Sequence, residues 1–78
     1  MSVVIEAARG GCTRLRVTTT NDNLGALRLY QRRGFRIAAV RPDAVTRLRR
    51  AKPALPVTGR HGIPLRDEIE LVHRVRRA

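Results

Sequence analysis

Between Thr13 and Phe35 the chain changes period once, and that change constrains its fold more than any other feature. "TRLRVTTT", residues 13–20, alternates: Leu15, Val17 and Thr19 fall on one side, and Arg14, Arg16 and Thr18 on the other, the repeat of two that a β-strand needs. From Leu24 to Arg33 the repeat becomes helical. Leu24, Ala26, Leu27, Leu29 and Tyr30 fill a broad apolar arc, while Gly25, Arg28 and Arg32 share the opposite face. Asn21-Asp22 stands where the helix needs an N-cap, because a side-chain oxygen there accepts from a free backbone N–H. Gly34 supplies a left-handed stop, and Phe35 the apolar residue that packs back on the helix. Gly25 weakens the first turn by about 1 kcal/mol relative to alanine.

The rest of the chain arranges itself around this unit. Val3, Val4, Ala7 and Ala8 recur at helical spacing, so residues 3–9 are expected to form a helix of two turns ended by Gly10-Gly11. "FRIAAV", residues 35–40, reads as a second strand, and "RDEIELVHRV", residues 66–75, as a third, with Ile69, Leu71 and Val75 opposite Glu68 and Glu70. Between Pro42 and Pro64 lie all four prolines and two of the six glycines, a long loop with one short helical stretch at "AVTRLRRA", residues 44–51. The expected order is α-β-α-β-long loop-β, an α/β or α+β fold whose last two strands pair antiparallel. Residues 76–78 are expected to fray.

Composition limits what such a fold does. Seventy-eight residues make one small domain, and one Phe, one Tyr and no Trp leave a thin aliphatic core. The net charge of +11 raises the question of polyanions. Sixteen arginines against one lysine, spread along the chain without interleaved aromatics, argue against a nucleic-acid track. A single cysteine, Cys12, has no partner for a disulfide or a metal cluster, and no signal peptide or apolar run of 18 residues appears, so a cytoplasmic setting is expected.

Asn23 and Tyr30 are two helical turns apart, on one side of the helix, with the small Ala26 between them and Thr18 to Thr20 at the strand end beside them. The pattern Asn23-x-x-Ala26-x-x-x-Tyr30-x-x-x-Gly34-Phe35, flanked by strands, resembles the C-terminal motif of the GNAT superfamily of N-acetyltransferases. With the later "GIPLRDEIEL" the similarity runs over nearly the whole chain. The resemblance implies a partial GNAT-like fold and acetyl transfer from acetyl-CoA to an amine acceptor of unknown identity. It implies that Tyr30 is the catalytic acid that protonates the departing thiolate, and that Asn23, Ala26 and Thr19 lie in the cofactor region. The strands around the long loop would border the acceptor, where the charge of Asp67, Glu68 and Glu70 suits a cationic amine.

Each role has a structural competitor. Tyr30 also suits the helix core, Asn23 an ordinary first turn with Asp22 as the cap, and Asp67, Glu68 and Glu70 a solvated face that offsets arginines. His61 reads as an exposed loop residue, His73 as an edge-strand residue, and Cys12 as a small buried one. The family's Gly-rich pyrophosphate-binding loop would precede the helix at residues 3–9 and is not in this sequence, so residues 1–78 are expected to be the C-terminal portion of an acetyltransferase domain, inactive alone and with weak or undetectable acetyl-CoA binding. The alternative is a non-catalytic basic module that binds an anionic partner or another subunit. A partial sheet is further expected to leave residues 14–20 as an unpaired edge open to self-association.

Overall fold

The computed structural model describes residues 2–7 and 12–76, and side chains from residue 13 to residue 75. The elements are β1 (Ser2–Ala7), β2 (Cys12–Thr20), α1 (Leu24–Arg32), β3 (Arg36–Arg41), α2 (Ala44–Ala51), a 3-10 turn (Arg60–Gly62) and β4 (Glu68–Arg76). The strands form one sheet in the order β1-β2-β4-β3, every neighbouring pair antiparallel. This is the mixed α and β architecture expected, including antiparallel pairing of the last two strands.

Two expectations change. The opening segment is a strand where a helix was expected. Val3, Val4 and Ile5 are three consecutive β-branched residues, which lose side-chain freedom in a helix. As a strand they satisfy the outer backbone groups of β2, with Ser2 opposite Thr18 and Ala7 opposite Thr13. The remainder of the expected helix and Gly10-Gly11 lie outside the described residues. As a second consequence, β2 is paired on both sides, by β1 and β4, so residues 14–20 are interior to the sheet. The edges are β1 and β3.

Register sorts the side chains into two faces. Val17 lies opposite Leu71, and Leu71 opposite Ile37; Leu15 pairs with His73, and Thr19 with Ile69. Val17 and Leu71 are fully buried at the centre of this face, and α1 packs against β3 at its edge. The other face carries Arg14, Arg16, Arg41, Glu68, Glu70 and Arg74. A bulge between Ile37 and Ala39 keeps β3 in phase, so that Val40 meets Ile69 and Arg41 meets Glu68.

The Pro-rich connection is tied down at several points. Its helical stretch forms α2, with Val45 buried. The Arg49 guanidinium donates to the carbonyls of Leu55, Pro56 and Leu65 at 3.3, 2.8 and 2.7 Å, doing for this loop what backbone pairing does for a sheet.

Candidate functional site

The strand-to-helix corner divides its work among three consecutive polar residues. The cap of α1 is Asn23, where Asn21-Asp22 was expected: its Oδ1 accepts from the Ala26 N–H at 3.2 Å, and its Nδ2 donates to Thr19 Oγ1 at 3.0 Å. Asn21 and Asp22 are thereby released for the long loop. Asn21 Oδ1 accepts from the backbone of Arg66 and Asp67, both at 3.0 Å, and its Nδ2 donates to the Pro64 carbonyl at 2.8 Å.

Asp22 is buried, at 4% exposure. Its Oδ1 accepts from the Thr20 hydroxyl and its Oδ2 from the Arg60 backbone N–H at 2.8 Å. Burial works against its charge, but the hydrogen bonds from Thr20, from Arg60 and from its own backbone prevail and hold its carboxyl below the ordinary value. A Cβ at Gly59 would collide with this carboxylate, so the loop passes here on a glycine. The sequence signal for this clamp is the excess of "NDN": a helix start uses one capping side chain, and three are present.

The apolar side of α1 leads from the cap to Tyr30. Ala26 is buried. The Tyr30 ring meets Phe35 edge-on, centroids 5.1 Å apart at 71°, and Phe35 meets the His73 imidazole at 5.1 Å and 42°. Gly34, at φ +96°, closes the helix as expected, and a Cβ on it would come within 3.0 Å of His73 Cε1. Leu29, Tyr30, Arg33, Phe35 and His73 line a cavity of about 410 Å³. The Tyr30 hydroxyl has no hydrogen-bond partner among the described residues. Sequence reasoning missed His73 here because β4 was read as an edge; it lies between β2 and β3.

Thr19, Asn23, Ala26 and Tyr30 therefore gather along one helix and the strand beneath it, whereas the acidic candidates stand apart. Glu68 and Glu70 are on the sheet face opposite His73. Arg41 bridges them, 2.9 Å from Glu68 and 2.8 Å from Glu70, with Arg16 at 3.6 Å from Glu70. The hydrogen bond from Arg41 lowers the Glu70 carboxyl from its ordinary value although burial opposes it. Asp67 accepts from the Asp43 backbone N–H at 2.8 Å, at the start of α2. His61 is exposed as expected, in a left-handed conformation at φ 59°. The Cys12 side chain and residues 77–78 lie outside the described residues.

Residues 1–35 match the sequence model of the acetyltransferase (GNAT) family, a match that supports membership of the GNAT superfamily. Among individual proteins it is similar to the uncharacterized protein YdhI of Bacillus subtilis (strain 168), 47% identical over 64 residues, covering 82% of this chain and 40% of that protein. It is also similar to the uncharacterized protein YxbD of the same organism, 37% identical over 76 residues, covering 91% of this chain and 48% of that protein. The chain thus spans less than half the length of either relative. No solved structure matches it. Among the described residues, no helix is long and apolar enough to cross a membrane.

Proposed function

We propose that the chain carries the thiol end of an acetyl-CoA site and takes part in transfer of an acetyl group from acetyl-CoA to an amine. The observation that carries this reading is the Tyr30 phenol on the wall of a cavity of about 410 Å³, its hydroxyl uncommitted, along the same helix as the Asn23 cap and Ala26. In the transfer the amine lone pair forms the C–N bond at the thioester carbonyl and the C–S bond breaks. Tyr30 gives its proton to the departing thiolate, nitrogen loses its extra proton to solvent, and the phenol is then reprotonated from solvent. Ala26, lacking a long side chain, admits the cofactor arm close to the helix, and the Thr19–Asn23 hydrogen bond fixes the corner it enters by. An attraction of the acceptor by Glu68 or Glu70 has to compete with Arg41, and one by Asp67 with Arg66, 3.4 Å from its Oδ2.

The test is steady-state acetyl transfer from acetyl-CoA across a panel of amines by the complete enzyme, wild type against Tyr30→Phe. A general acid contributes about 10²-fold or more, so kcat is expected to fall by about that factor while the acetyl-CoA KM holds. An unchanged kcat returns Tyr30 to packing against Phe35.

A further inference from the structure

The helix that bears Tyr30 lines a second cleft. Gly25, Arg28, Leu29, Arg32 and Arg33 line it, with a volume of about 400 Å³. At roughly 100° per residue, Arg28 and Arg32 fall about 160–200° around the helix from Tyr30, on its outer face. Arg33 borders both cavities.

The three guanidiniums are exposed, and none has a hydrogen bond or ion pair among the described residues. Arg41 is engaged by Glu68 and Glu70, Arg49 by three carbonyls and Arg66 by Asp67. Arg36, Arg47, Arg50, Arg60 and Arg74 share with the α1 arginines the lack of a side-chain hydrogen bond or ion pair among the described residues, so it is the gathering of three around one cleft that sets α1 apart. α1 itself, "LGALRLYQR", contains no acidic residue to compensate them. The helix dipole favours cations in its last turn and so accounts for Arg32 and Arg33, but it does not account for Arg28. Arg28 and Arg32, four residues apart, repel each other on the free helix. Gly25 leaves the upper wall open, with nothing within 4 Å of where its Cβ would be.

We infer that this cleft is a binding site for the phosphate group of a small phosphate-bearing molecule. Guanidiniums present paired N–H donors that match phosphate oxygens, and three around one cleft share a compact anion instead of tracking a backbone. A single-stranded polynucleotide would also call for aromatic platforms, and the chain's two aromatic rings, Tyr30 and Phe35, are packed on each other. Arg28 and Arg32 lie away from the Tyr30 cavity, which Arg33 also borders.

The experiment titrates inorganic pyrophosphate, and separately a short DNA duplex, into the 78-residue chain while arginine Nε–H and α1 amide signals are followed by NMR. Pyrophosphate is expected to saturate one site and to shift Arg28, Arg32 and Arg33 first. Arg28→Gln with Arg32→Gln should weaken it about 10-fold or more, whereas Arg47→Gln with Arg50→Gln, an equal loss of charge on α2, should weaken it less than about 2-fold. Equal weakening by the two pairs, or shifts spread over all arginines without saturation, would overturn the inference. So would a duplex that binds while pyrophosphate fails to saturate. Circular dichroism of each variant confirms that α1 is intact, and Arg28→Lys, which keeps the charge but loses the fork, should weaken binding by an intermediate factor.

Discussion

Asp22 is where strand, helix and loop meet, and its chemistry makes two predictions. It is buried, with one oxygen on Thr20 and the other on the Arg60 backbone. Asp22→Ala leaves those donors unsatisfied and should cost about 1–3 kcal/mol in urea unfolding at neutral pH. The pH dependence follows from the lowered carboxyl. Stability from Asp22 is fully present above the unfolded value, near 3.8, and is lost as pH falls through the lower folded value. Glu70, lowered by Arg41, adds to the same acid loss. Unfolding measured from pH 7 down to pH 2 should therefore show a smaller acid loss in Asp22→Asn than in the wild type. Identical slopes would mean that Asp22 keeps an ordinary carboxyl. The "NDN" cluster announced a polar corner in the sequence, but the partner of Asp22 is 38 residues away, and local pattern holds no record of such a pairing.

At the scale of elements, α1 was legible because its signals are local: apolar spacing, a polar start, and Gly34-Phe35 at the end. Its cap makes a direct prediction. Asn23→Ala removes both the acceptor for Ala26 and the donor to Thr19, and should cost about 1–2 kcal/mol in chemical denaturation. Asn23→Asp keeps the acceptor and places a charge favoured at a helix start, so its loss should be smaller. Equal losses would assign the stabilising role to the Thr19 contact. β1 was not legible, since a short apolar run fits helix and strand alike, and the choice was made by β2, whose outer edge it pairs. The position of β4 between β2 and β3 is likewise a tertiary fact; it brought His73 to Phe35 and Gly34 beneath α1.

The whole molecule is long and flat, 45 × 24 × 16 Å, with a radius of gyration of 14.3 Å. A compact chain of this length would have about 11.5 Å. Among the described residues the fully buried large side chains are Val17 and Leu71, while Ile37 and Val40 on the edge strand β3 are 51% and 53% exposed and Leu29 is 48% exposed. Such a surface favours pairing along β3, through unpaired backbone and apolar contact together. Against it stand Arg36 and Arg41 at the two ends of that strand, the bulge between Ile37 and Ala39, and a net charge of +11 that makes like molecules repel. Charge repulsion is screened within about 10 Å at 0.1 M salt and about 3 Å at 1 M, whereas apolar contact is not weakened by salt. Association should therefore grow with ionic strength, the reverse of what an ion-pair interface would do. Sedimentation velocity at low and high sodium chloride tests this: the weight-average mass is expected to rise with salt in the wild type and to stay monomeric in Ile37→Lys with Val40→Lys. A monomer at every salt concentration would mean that the bulge and edge arginines alone suffice to protect β3.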